Sequence, residues 1–168
     1  MELKELTNLV LNKLNLYDTN NLSENIYKIC ENNDIQFMQW FKENVKDLSV
    51  DWMQKIYQYY LADRKEKMQD YTPKSIAELM AKLLGDEETV IDLCAGSGAL
   101  TIQKWNQNKN QKFILFEFDK KVIPFLIFNM MVRNIECVIY RSDVLQEEIY
   151  NEYRITKGKE YGKLEVIK

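Results

Sequence analysis

An α/β fold, with about four mainly parallel strands behind an N-terminal helical bundle, is what this sequence predicts. Three observations carry that expectation. All seven glycines and prolines lie at or after Pro73, so the first seventy residues run without helix breakers. Beyond Pro73, short β-type apolar runs alternate with helical ones, the pattern of right-handed crossovers between parallel strands. The first of those runs ends in a glycine turn from which a new helix starts.

Residues 1–67 read as a helical N-terminal region of three or four helices. Leu3, Leu6, Leu9, Val10 and Leu14 form one stripe, and Trp52, Ile56 and Tyr60, with Met53 and Tyr57 beside them, form another. Ile35, Met38, Trp40 and Phe41 mark a short helix after the Asn32-Asn33 break. At helical spacing the aromatics Trp40, Phe41, Trp52, Tyr57, Tyr59 and Tyr60 read as core rather than as base-stacking platforms. Residues 1–70 carry 9 basic and 12 acidic side chains, a poor surface for nucleic acid.

Residues 68–168 form the second region. Thr72 is placed as an N-cap and Pro73 as the first helical residue, with Ile76, Leu79, Met80 and Leu83 as the buried face and Gly85 as the stop. Thr89-Val90-Ile91-Asp92-Leu93 reads as a strand, and a helix follows the turn from about Ala99. Lys112 to Glu117 reads as the second strand and Glu136 to Arg141 as the third. Between them, Lys120 to Asn134 is a helix apolar almost all round, which implies burial on both sides. Leu164 to Ile167 reads as the start of a fourth strand, and the basic stretch from Arg154 to Lys168 as a solvated tail.

Composition removes several chemistries. With no histidine, His-based triads and the commoner zinc sites are excluded. Cys30, Cys94 and Cys137 are odd in number and far apart, which fits a reducing cytoplasm rather than a disulfide framework or metal knuckle. No apolar run approaches the roughly 20 residues of a membrane span, and the acidic N-terminus is unlike a signal peptide. A net charge of −3 gives no global attraction to nucleic acid.

The chemistry-bearing segment is Asp92-Leu93-Cys94-Ala95-Gly96-Ser97-Gly98. Gly96 and Gly98 let a backbone approach a ligand closely. Thr101 stands where a dinucleotide fingerprint would want its third glycine. Asp92 at the strand end favours a cationic ligand such as S-adenosylmethionine and repels a pyrophosphate. Glu117 ends the next strand nineteen positions after Gly98, where nucleoside-binding sheets present an acid to the ribose hydroxyls; Asp119 is a near rival. Asp143 follows the third strand and suits an adenine amine. Any one of these acids alone reads as a turn cap, but three beyond successive strands read as a site.

These segments resemble the cofactor half of adenine-N6 DNA methyltransferases, especially the modification subunits of type I restriction systems. The similarity runs from about Gln69 to Val144. Gln69-Asp70-Tyr71-Thr72-Pro73 is similar to the family's first motif, which touches the methionine end of the cofactor. Asp92 to Gly98 matches the glycine motif, with Leu93 where the family usually has proline. Phe116-Glu117 matches the second motif, Phe128-Asn129-Met130 the family's asparagine-methionine helix end, and Ser142-Asp143-Val144-Leu145 the third. The resemblance implies a Rossmann-like methyltransferase sheet. It implies an S-adenosylmethionine pocket from Tyr71, Thr72, Pro73, Asp92, Cys94 and Ala95, continued by Gly96, Ser97, Gly98, Glu117, Phe118, Asp143 and Val144.

The family transfers the methyl group with an Asn/Asp-Pro-Pro-Tyr/Phe loop after its fourth strand, which holds the flipped adenine. No such segment occurs here, so no residue is nominated as catalytic. The expectation is a chain truncated before that loop, with a partner chain or a C-terminal half supplying it and DNA engaged only within the complex. In the family's usual order the fourth strand lies beside the first. An unpaired sheet edge is then left for self-association or a partner. Residues 144–168 folding back as a helix over that edge are the alternative. Two other functions stay open: a catalytically inactive S-adenosylmethionine-binding module, and an RNA or protein methyltransferase. Tyr71-Thr72-Pro73 favours the DNA family over the latter.

Overall fold

The computed structural model describes residues 2–62, 72–85 and 87–167. Four helices come first: α1 (Leu3–Lys13), α2 (Leu22–Glu31), α3 (Ile35–Val45) and α4 (Trp52–Tyr60). Short acceptor side chains open two of them. Asp34 accepts from the Phe37 amide at 2.9 Å to open α3, and Asp51 accepts from the Gln54 amide at 2.8 Å to open α4. Then follow α5 (Lys74–Leu83), β1 (Thr89–Asp92), α6 (Ala99–Gln107), β2 (Lys112–Glu117), α7 (Ile123–Val132), β3 (Cys137–Asp143), β4 (Glu148–Thr156) and β5 (Lys163–Val166).

The five strands form one sheet in the order β1-β2-β3-β4-β5. β1, β2 and β3 are parallel, with Asp92 opposite Leu115 and Glu117 opposite Arg141. β4 runs antiparallel to β3, with a register shift between Arg141 and Ser142, and β5 runs antiparallel to β4. The expected fourth strand beside the first is therefore corrected: Lys163–Val166 lies at the edge opposite β1, and residues 148–166 form a hairpin rather than a tail or a covering helix. Polar contacts fix that hairpin to the helices. The Gly162 amide donates to the Met131 carbonyl at 2.8 Å, the Leu164 amide to Asn33 Oδ1 at 2.7 Å, and the Gly158 amide to Asn134 Oδ1 at 2.9 Å. Among the described residues no strand pairs with the outer edge of β1.

All ten residues of α7 are buried, between the sheet on one side and the N-terminal helices on the other. Phe128 meets the Phe41 ring edge-on at 5.0 Å and Phe125 meets Tyr57 at 5.3 Å. Both regions thus share one apolar core. Trp52, Phe41 and Tyr57 belong to it, whereas Tyr59 points outward.

α5 departs from expectation. Pro73 is its N-cap and the helix starts one residue later, at Lys74. Its buried residues are Ala77 and Ala81, while Ile76, Leu79, Met80 and Leu83 are 42% to 71% exposed. Small residues four apart let α5 lie close against α6, and that turns the bulky stripe away from the core. No helix among the described residues is long and apolar enough to cross a membrane.

Candidate cofactor site

Parallel pairing brings the ends of β1 and β2 side by side, with the turn of residues 93–98 between them. The turn is tied to β2 by two bonds: the Ala95 amide donates to the Phe116 carbonyl at 2.9 Å and the Gly96 amide to Glu117 Oε2 at 2.9 Å. Glu117 Oε1 accepts the Asp119 amide at 2.7 Å. Gly96 sits at φ +57°, a left-handed conformation that glycine adopts without strain.

Asp92 Oδ1 accepts the Cys94 amide at 3.2 Å, but Asp92 Oδ2 is buried with no hydrogen-bond partner. Burial pushes the carboxyls of both Asp92 and Glu117 above their ordinary range. The Cys94 thiol is raised as well, first by burial and then by the negative charges of Asp92 and Glu117. Asp92 holds the Cys94 amide and Glu117 the Gly96 amide, so the two acids border the turn from β1 and β2.

The remaining expected residues lie in different surroundings. Gly98 is left-handed at φ +98°, and a Cβ there would meet Met130 Cε at 2.7 Å and Leu126 Cδ1 at 3.1 Å. Its bareness serves the approach of the turn to α7. Ser97, 1% exposed, turns away from the cleft: its hydroxyl donates to Asp51 Oδ2 at 2.7 Å and its carbonyl accepts Asn129 Nδ2 at 2.8 Å. Ala95 is buried, and Phe118 is 60% exposed with its ring edge toward Tyr150 at 6.5 Å. Asp143 accepts the Leu145 and Gln146 amides at 3.0 and 3.1 Å, so it caps its own turn, with the half-buried Val144 next to it. Asp119 is buried and accepts the Lys121 amide at 2.9 Å. Thr72 and Pro73 stand at the head of α5, and Tyr71 lies outside the described residues.

A buried polar network behind the turn has no direct sign in the sequence. Asp51 Oδ1 accepts Asn129 Nδ2 at 2.8 Å while its other oxygen holds Ser97. Arg133 donates to the Leu48 and Val50 carbonyls at 2.8 and 2.9 Å and to the Asn129 side chain at 2.9 Å. Gln103 of α6 donates to the Ser49 carbonyl at 2.8 Å. Burial pulls the Arg133 guanidinium down to about 10 against the opposing pull of Asp51 and Asp47, and burial pushes Asp51 up against the Arg133 charge. The sequence singles out Asn129 and Ser97 by family resemblance and offers Asp51 ahead of an apolar helix, which announces a cap and not its reach to Ser97.

The family model for N-6 DNA Methylase matches residues 48–160. The chain belongs to that family. No curated protein and no solved structure gave a match. The matched stretch starts at Leu48, whose carbonyl holds Arg133, so the loop leading into α4 is part of the family unit. All three cysteines are free, and among the described residues no three His, Cys, Asp or Glu side chains gather as a metal site.

Proposed function

We propose that this chain binds S-adenosylmethionine between Asp92 and Glu117 and contributes that pocket to adenine-N6 methylation of DNA. The observation that carries the reading is the buried, partnerless Oδ2 of Asp92. An unsatisfied buried carboxylate oxygen is costly, and a cationic ligand removes the cost. Glu117 spends one acceptor site on each oxygen, and a carboxylate has about four, so acceptor capacity remains for ribose hydroxyls. The exposed Phe118 ring offers a face to the adenine. When bound, the cofactor supplies an electrophilic methyl group on a sulfonium. Asp92 and Glu117 bind and orient it, and Gly96 keeps the turn free of side-chain bulk.

No Asn/Asp-Pro-Pro-Tyr/Phe segment occurs in the sequence, whose prolines are Pro73 and Pro124. The loop that holds the adenine therefore comes from another polypeptide segment, and DNA is engaged in that complex. The outer edge of β1, beside the exposed apolar stripe of α5, is where a partner chain or second copy docks. A second reading with the same pocket is a catalytically inactive S-adenosylmethionine-binding module.

Titration calorimetry with S-adenosylmethionine tests the pocket. Wild type gives heat and Asp92→Ala binds at least about tenfold more weakly, a loss of about 1.4 kcal/mol. No heat from wild type refutes both readings. Methyl incorporation into adenine-containing DNA by this chain alone refutes the need for a second segment.

A further inference from the structure

A cavity of about 890 Å³ lies between α2 and the β3–β4 side of the sheet, within the size range of small-ligand pockets. Asp92, Gly96 and Glu117 are not among its walls. Its charge is opposite to that of the cofactor cleft. Arg141, Lys120 and Lys121 line it, and its acid Glu24 is engaged by Lys28 at 2.8 Å. That is a local excess of positive charge in a chain of net charge −3.

Arg141 is the organised member. At the register shift Arg141 pairs with Asn151 and Ser142 with Ile149, so Tyr150 is the extra residue on β4, the kind of place where a strand re-aims a side chain. Arg141 Nη1 donates to Asn151 Oδ1 at 3.2 Å, the guanidinium stands 4.8 Å from the Tyr150 ring centroid, and Nε is buried without a partner. A guanidinium has five N–H donors in a fixed fork, so this one is held in place with donors to spare. The Tyr150 hydroxyl donates to Glu148 at 3.0 Å, which anchors its ring. Tyr27 and Tyr153, packed edge-on at 6.3 Å, form a second aromatic wall. Ser23 of α2 donates to the Lys121 carbonyl at 2.7 Å and ties the helical rim to the loop after β2. Asn20 and Asn21 add amide groups at the mouth.

Cations for phosphate, aromatic faces for a ring and amides for ring edges are together the recognition set of a nucleotide. We propose that this cavity binds a nucleotide unit by its phosphate, with Arg141, Lys120 and Lys121 as the anion receptor and the tyrosines as the ring platform. The acid-lined cleft repels the same phosphate, so the two sites sort their ligands by charge. The unit is a free mononucleotide or one nucleotide of a strand, and the test separates these.

The intact chain is titrated with adenosine monophosphate, adenosine and a short single-stranded oligonucleotide, each with and without saturating S-adenosylmethionine. The proposal expects the monophosphate to bind at least about tenfold more tightly than adenosine, unaffected by S-adenosylmethionine. Arg141→Gln, and separately Lys120→Gln with Lys121→Gln at the exposed positions, weaken it while S-adenosylmethionine binding stays unchanged. Binding of the oligonucleotide alone keeps the site and assigns the unit to a strand. Silence of both, equal binding of adenosine, displacement by S-adenosylmethionine, or indifference to both sets of variants overturns the proposal.

Discussion

Replacing Asp51 by alanine removes the centre of the network that joins the helical region to the glycine turn. Three donors lose their acceptor at once: Ser97 Oγ at 2.7 Å, Asn129 Nδ2 at 2.8 Å and the Gln54 amide at 2.8 Å. Loss of the α4 cap costs about 1 kcal/mol. Asn129 Nδ2 keeps its bond to the Ser97 carbonyl, so the Ser97 hydroxyl is the group left unsatisfied, at about 1–3 kcal/mol. Arg133 stays bonded to backbone carbonyls but loses its strongest opposing charge. Against these, alanine needs no buried carboxylate, whose desolvation is what pushes the Asp51 carboxyl upward. The net expectation is about 3 kcal/mol of lost stability, a melting point lower by about 6–12 °C for a chain of this size. Asp51→Asn keeps the cap acceptor and most of the shape, and loses about 1 kcal/mol. Urea unfolding of the three proteins reads both differences. A double cycle with Ser97→Ala adds the coupling, expected at about 1 kcal/mol or more. An Asp51→Ala protein within about 0.5 kcal/mol of wild type, with no coupling to Ser97, refutes the network.

Two further expectations concern the turn and its acids. Gly98→Ala must hold φ +98° and push Met130 aside, so it lowers the urea midpoint by the equivalent of about 1–3 kcal/mol. Asp92 and Glu117 have folded-state carboxyls raised above the ordinary 3.8 and 4.5 by burial, so the unliganded fold holds protons that the unfolded chain releases. Its stability therefore falls as pH rises from that ordinary range through the raised values, whereas S-adenosylmethionine, which needs the carboxylates ionised, binds more tightly over the same interval. Denaturation and calorimetry from mildly acidic to neutral pH read the two opposite slopes, and parallel slopes contradict the assignment of the acids.

The parts of this fold that were legible in the sequence are those set by local chemistry. Lys112–Glu117 is a strand at both levels, the helix begins at Ala99 as the turn dictates, and the all-round apolar run within 120–134 is a helix buried on both faces. What was not legible depends on partners distant in the chain. The basic stretch from Arg154 to Lys168 reads as a solvated tail, yet Ile155, Tyr161 and Leu164 are buried in the hairpin of β4 and β5. Helical period locates the Ile76–Leu83 stripe without saying which face meets the core, and the alanines won because α6 approaches closely. In the site, Asp92, Gly96 and Glu117 meet as their spacing implies. Ser97 sits in the glycine turn, and the acceptor of its hydroxyl lies 46 residues earlier, beyond the reach of any spacing argument. Asp143 satisfies its carboxylate within its own turn, which spacing alone does not reveal.

α7 has no side left for water, and this changes what the helical region is for. Phe125 faces Tyr57 and Phe128 faces Phe37 and Phe41, so each ring gains roughly 1.5–3 kcal/mol of burial, completed by residues of the N-terminal helices. The first sixty residues act thermodynamically as the missing half of a shell around one helix. Their melting and that of the sheet are expected to be a single cooperative event, with coincident transitions by different probes as the check. Any ligand that steadies the glycine turn raises the stability of helices that never touch it.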